Sequence, residues 1–126
     1  MRTLRINPIA LQDLKDIKEY ISIELDNAKA ANRIIDKIIS KYESLAEYPF
    51  IGNELSVKIG ISTDFRFLVC EKYIIFYKVD ETHVYIYLIL YGSRDYIRVL
   101  FGDIDKSQIW RAHFLVPLSY GASDSS

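Results

Sequence analysis

The sequence predicts an α+β domain: an N-terminal strand, then an antiparallel helical hairpin packed on one face of a three- to four-stranded antiparallel sheet. Two observations carry that expectation. Residues 14–45 repeat apolar side chains at intervals of three and four, the period of an amphipathic helix, with one interruption at Asp26-Asn27. Residues 64–91 then hold three runs of β-branched, aromatic and aliphatic residues, parted by Glu71-Lys72 and by Asp80 to Thr82. Connections that short make neighbouring strands antiparallel.

Taken in order, residues 2–7 alternate weakly, with Leu4 and Ile6 on one side, and predict a short strand. Asn7-Pro8 predicts a helix start, since asparagine caps and proline suits the first helical position. In the first helix Leu14, Ile17, Ile21 and Leu25 face inward, and Asp13, Asp16, Lys15 and Lys18 face outward. Asp26 or Asn27 caps the second helix, whose stripe is Ala31, Ile34, Ile35, Ile38, Tyr42 and Leu45. A link that short folds the two helices into a hairpin. Residues 49–61 contain Pro49, Gly52, Asn53 and Gly60 and predict a connecting loop, with room for a short turn of helix or strand.

The first of the three runs places Phe65, Phe67 and Val69 on one face and Arg66 on the other. Residues 73–79 are apolar on both faces, as in a central strand covered on both sides. Strict alternation in residues 83–91 would put Val84, Ile86, Leu88 and Leu90 on one face and Tyr85, Tyr87, Ile89 and Tyr91 on the other. Asp95 to Phe101 predicts one more helical turn. Residues 1–103 thus form one domain, and residues 104–126 an extension. The extension ends in a polar Gly/Ser/Asp tail expected to be disordered. Its middle, Trp110 to Leu118, is too apolar for a solvated linker and is expected to dock on the domain or on a second copy.

Composition narrows the function. Net charge is −1, with no basic excess to drive strong nonspecific binding of nucleic acid. No apolar run approaches a membrane span, and the first ten residues lack the apolar core of a signal peptide. A single cysteine, Cys70, cannot pair internally and suits a reducing, cytoplasmic setting. In an apolar strand it is expected to be a small buried hydrophobe. There is no phosphate loop and no CxxC or HExxH pattern, so neither cofactor nor metal is expected. A nucleophilic pair from Cys70 and His83 is disfavoured by the burial expected of Cys70.

Two residue classes remain. Arg66 and Arg94 lie in apolar surroundings, where a guanidinium needs a carboxylate, a phosphate or a partner. Asp64 and Asp95 could answer them internally; an anionic ligand or a protein partner is the other reading. The chain has ten tyrosines, six of them (Tyr73, Tyr77, Tyr85, Tyr87, Tyr91 and Tyr96) in the sheet region. Cross-strand packing accounts for such residues. The other reading is a partly exposed recognition face built from Tyr85, Tyr87 and Tyr91.

Four segments, in order, carry a resemblance. They are Leu45-x-x-Tyr48-Pro49-x-x-Gly52, Phe65-Arg66, Tyr73-Ile74-Ile75-Phe76-Tyr77, and Tyr91-Gly92-Ser93-Arg94-Asp95. Their combination over residues 1–103 resembles the RelE/ParE superfamily, the toxins of bacterial type II toxin–antitoxin pairs, some of which serve plasmid stabilisation. The resemblance implies a cognate antitoxin, no cofactor, and a homodimer or a toxin–antitoxin hetero-oligomer. Ribonuclease members, which cut messenger RNA in the ribosome, resemble one another in an arginine shortly before the central-strand tyrosine; here Ile74 stands there. A ribonuclease reading would leave Arg66, Arg94 and Tyr96 as candidate catalytic residues. The long hairpin, the Tyr-Pro-x-x-Gly loop and the Ile-Phe-Tyr strand look more like the ParE branch, which poisons DNA gyrase by protein contact. On that reading Arg66, Tyr85, Tyr87, Tyr91 and Arg94 form a binding surface on the sheet face opposite the helices. A relic that binds its antitoxin without toxicity is the third reading.

Overall fold

Asn7 and Pro8 open the helical layer as the sequence predicts. The computed structural model describes residues 1–92 and 96–102. Strand β1 (Thr3–Ile6) runs into helix α1 (Pro8–Glu19), where Asn7 Oδ1 accepts the Ile9 N–H at 2.8 Å. Pro8 lacks a donor at a position where none is needed. The helix then widens into a π-helical turn, Tyr20–Glu24. That turn shifts the register, so Leu25 leaves the buried stripe and is 57% exposed. Asn27 caps α2 (Ala28–Glu43), its Oδ1 accepting the Ala30 N–H at 3.0 Å. Asp26 instead takes a positive φ of 50° in the turn. Ala31, Ile34, Ile38 and Tyr42 are buried, with Leu45 below them in a short 3-10 turn; Ile35 is partly buried.

The sheet has five strands rather than three or four. The loop after α2 contributes a two-residue strand, β2 (Asn53–Glu54), and a short helix, α3 (Leu55–Ile59). Then come β3 (Arg66–Cys70), β4 (Tyr73–Val79), β5 (His83–Tyr91) and α4 (Tyr96–Phe101). The order is β1-β5-β4-β3-β2, antiparallel except for β1, which lies parallel to β5. The three long strands follow one another through tight turns and so alternate in direction. β1 instead joins the sheet at its far side, beside the last strand.

Strict alternation fails in β5, for a local reason. A bulge opposite Phe76 and Tyr77 leaves Tyr87 without a β4 residue of its own, between Ile86, paired with Tyr77, and Leu88, paired with Phe76. One extra residue inverts the faces beyond it. Val84, Ile86 and Ile89 consequently pack under the helices, whereas Tyr87, Leu88 and Leu90 pack in the opposite cluster with Phe65, Phe67, Phe76 and Phe101. Helix α4 closes that second layer: Tyr96 lies 5.3 Å from the Phe76 ring and Phe101 lies 6.2 Å from Phe65. Lys78 is buried in the same layer. Its Nζ meets Asp64 Oδ1 at 2.8 Å and sits 4.5 Å above the Phe65 ring, so Asp64 serves Lys78 and not Arg66.

Two polar contacts tie the layers together. Asp13 points inward, contrary to the helical-wheel expectation. β1 stops opposite Ile86, leaving the rest of that β5 edge open, and Asp13 Oδ2 accepts the Ile89 N–H at 2.9 Å. An edge amide is thus satisfied by a helix side chain. At the opposite edge Glu71, in the β3–β4 turn at φ 55°, accepts from Lys37 Nζ at 2.8 Å and Arg33 Nη1 at 3.0 Å on α2. The hydrogen bonds from Lys37, then Arg33, hold the Glu71 carboxyl below the usual carboxylate range.

The loop before β2 is fixed by a buried phenol. Tyr77 is fully buried. Its hydroxyl donates to Pro49 O at 2.9 Å and accepts the Gly52 N–H at 3.2 Å. Gly52 is required by close approach: a Cβ there would lie 2.4 Å from Phe67 O and 2.5 Å from the Tyr77 hydroxyl. Tyr77→Phe should lower unfolding free energy by about 1–3 kcal/mol, since buried loop groups lose their partner. Gly52→Ala should cost about the same through overpacking; urea denaturation reads both. Glu71 gives a pH test. A carboxyl lowered in the folded state stabilises above its unfolded pKa, and that stabilisation is lost as pH falls through the folded value. Glu71→Gln should therefore narrow the stability gap between neutral pH and the acid side of the carboxylate range, measured by urea midpoints across pH.

Candidate protein-binding surface

A groove opens where the hairpin turn overhangs the ends of β4 and β5. Its volume is about 760 Å³. The helical wall is Ile17 of α1, Tyr20 and Ile21 of the π-helical turn and Leu25 after it, with Ala30 and Ile34 from α2. The floor is Tyr73, Ile89 and Tyr91, whose last two side chains reach this side of the sheet because of the β5 bulge. Tyr73 and Tyr91 meet edge to face at 5.7 Å. Burial raises the Tyr73 phenol pKa, helped by the neighbouring Tyr91 and Tyr20, so it remains protonated as a hydrogen-bond donor. Asp13, Asp16, Arg33, Glu71, Lys72 and Leu90 complete the lining. The π-helical turn leaves Tyr20 and Ile23 exposed beside the groove. An apolar trough with charged groups around it fits a peptide segment, in particular an amphipathic helix.

The expected recognition face is built differently. Tyr87 is buried against Phe65, with ring centroids 5.2 Å apart. Tyr85 lies on the same side and donates to Asp80 Oδ2 at 2.8 Å. Tyr91 lies on the helix side, so the three tyrosines do not form one surface; the bulge separates them. Asp80 accepts further bonds from the Thr82 and His83 N–H groups. Desolvation would raise its pKa, but the hydrogen bonds from Thr82, Tyr85 and His83 outweigh it and the net direction is down.

Arg66 also departs from expectation. It shares the strand face of Leu68 and Cys70, which pack under the helices, rather than the face opposite. Its Nη2 donates to Gly52 O at 2.9 Å and Phe50 O at 3.4 Å, and Nη1 lies 3.8 Å from Glu54. The guanidinium stacks 5.1 Å over Phe50, whose ring also meets Arg2 at 5.4 Å. Arg66 is thereby a clamp on the loop that Tyr77 pins. Arg94 lies outside the described residues, as do Asp95 and the extension. Cys70 is buried, and desolvation raises its pKa. Cys70 ends β3 beside Tyr73 while His83 begins β5 beside Thr3, so the two lie at opposite ends of the sheet.

Sequence reasoning missed two features here. One is the groove, which needs the bulge and the π-helical turn. The other is a row of exposed cations on α2, Lys29, Arg33, Lys37 and Lys41. Their unbroken four-residue spacing places them along one helix face, and that spacing could have been read directly.

The comparisons with known proteins follow this geometry. No curated relative matches the chain. The fold is similar to that of a solved protein from P. aeruginosa described as a chromosomal ParDE TA system. The TM-score is 0.61 at 18% sequence identity, covering 72% of this chain and 96% of that one. At that identity the likeness shows the fold. A family model described as the ParE toxin of the type II toxin–antitoxin system parDE matches residues 4–96. That span runs from β1 to the first residue of α4 and includes the groove and the pinned loop, and the chain belongs to the ParE toxin family.

Proposed function

We propose that this protein is a cytoplasmic, growth-inhibiting toxin that acts on DNA gyrase through protein contact. A cognate antitoxin restrains it by seating a helical or extended segment in the groove between the hairpin and the ends of β4 and β5. Family membership supports the toxin class. No helix among the described residues is long and apolar enough to cross a membrane.

One observation favours protein contact over RNA cleavage: the position of Arg66. Cleavage by attack of a 2′-hydroxyl needs a base and cationic groups free to stabilise the phosphorane. Arg66 is engaged by two loop carbonyls, Glu54 and the Phe50 ring. Tyr96 packs against Phe76. Two of the three groups named for a ribosome-dependent ribonuclease therefore serve the fold. The groove supports the antitoxin arm of the reading, and the cation row on α2 suits an acidic portion of the same partner.

Expression without antitoxin should arrest growth with DNA-damage signalling and intact transcripts. Transcripts cut within reading frames would replace gyrase with the ribosome and mRNA as target. Growth without arrest would favour the antitoxin-binding relic. Arg94→Ala should relieve arrest if that residue belongs to the toxic surface. Tyr91→Asp should weaken capture of the antitoxin encoded beside this gene by at least tenfold in a pull-down titration, while Val57→Asp on α3 should leave it unchanged.

A further inference from the structure

We infer that the open edge of β3, beside the cation row of α2, seats an extended acidic segment of the antitoxin. The inference rests on the antitoxin being the partner, as proposed above, and adds a second seat next to the groove.

The backbone gives the first observation. Phe65 O accepts the Leu55 N–H at 3.0 Å. Leu55 follows β2, which lies on the side of β3 away from β4. Hydrogen-bonding direction alternates along a strand, so Phe67 and Val69 aim their backbone groups the same way as Phe65. β2 is two residues long and answers Phe67, which lies opposite Asn53. It does not reach Val69, whose outward N–H and C=O have no strand partner among the described residues. The Val69 side chain is 51% exposed. Exposed edges are ordinarily blunted by proline or charge, and Leu68, Val69 and Cys70 supply neither.

The second observation is electrostatic. Leu68 and Cys70 pack under the helices, and Arg33 and Lys37 of α2 reach the Glu71 carboxylate in the turn after β3. Burial raises the Cys70 thiol pKa, and the nearby Lys41 and Lys37 charges oppose that rise. The cation row therefore runs beside the end of this strand. Glu71 answers two of its four members. Lys29 and Lys41 meet no carboxylate among the described residues. Asp36 points about 100° round the helix from Lys37.

The spacing selects the form of the partner. Cations four residues apart on a helix rise by about 6 Å. Alternate side chains of an extended chain rise by about 7 Å. Acids at every second position of a strand thus fall into step with this row. A peptide strand also brings the acceptor and donor that Val69 needs. Arg33, Glu71 and Lys72 line the groove as well, so the two seats are contiguous.

Amide hydrogen exchange in the intact protein reads the edge directly. In the free protein Val69 should exchange faster than Leu68, whose amide turns toward β4. Binding the purified product of the neighbouring antitoxin gene should slow Val69 at least tenfold. Lys41→Glu should weaken capture at least tenfold at low salt, and less at high salt. Lys15→Glu on the outer face of α1 should leave capture unchanged. Val69→Pro, at an edge where proline is tolerated, should weaken capture several-fold, while Val69→Thr, which keeps the amide, should not. Unaltered exchange at Val69 on binding would overturn the inference. So would a Val69 amide already protected in the free protein, because the edge would then be covered without antitoxin. Equal losses from Lys41→Glu and Lys15→Glu would overturn it too, by reducing the attraction to net charge. Failure of the groove reading looks different: capture indifferent to Tyr91→Asp, with Val69 still slowed, would remove the groove and retain the edge.

Discussion

The hydroxyl of Tyr77 holds the architecture in place. It is buried at the middle of the sheet, bonded to Pro49 and Gly52, and so fixes the loop that carries the chain from the helical layer to β2 and β3. The backbone approaches so closely that only glycine fits at position 52. Arg66 binds the same loop from its carbonyl side and stacks on Phe50. The residues that make the chain resemble its family, Pro49, Gly52, Arg66 and Tyr77, are thus one mechanical unit. A buried network of this kind is costly when partly broken and rigid when complete. Its rigidity orients β3 and β4, and through them the groove floor.

A second constraint is geometric. The β5 bulge turns the strand's last residues over, so Ile89 and Tyr91 join the helix side while Tyr87 and Leu88 enter the layer closed by α4. On the helix side the open β5 edge is answered by Asp13, and at the hairpin turn the π-helical turn releases Tyr20, Ile23 and Leu25 to the surface. Together these irregularities create an apolar trough beside the hairpin turn. Bulges and π-helical turns concentrate at functional sites because they re-aim side chains without unravelling the element. The proposed seat for an antitoxin segment rests on that placement.

Most of the architecture was legible in the sequence. The apolar periodicity of residues 14–45 located both helices, and Asn7-Pro8 and the Asp26-Asn27 pair marked their starts through capping, with Asn27 the cap in the structure. Apolar residues on both faces of 73–79 identified a strand covered on both sides. Family resemblance was legible too, because the network around Tyr77 demands particular residues at particular separations. The parts of the candidate site were less visible. Leu25 falls at helical spacing yet lies outside the stripe, because the π-helical turn changes the angular step. Asp64, two residues before Arg66, pairs with Lys78 instead, because β4 brings the Lys78 ammonium to it across the Phe65 ring.

What the sequence determined by itself is the class of structure: two amphipathic helices, a run of antiparallel strands and a Pro/Gly-marked connecting loop are all local patterns of apolar spacing, capping and backbone freedom. What only the tertiary structure decided is which side chains share a surface. The inward turn of Asp13, the removal of Arg66 to the loop and the separation of Tyr85 and Tyr87 from Tyr91 each depend on a partner distant in the chain. Alternation counts residues from one strand end to the other; a single bulged residue, set by packing across β4 and β5, reverses the count, and no local pattern records it.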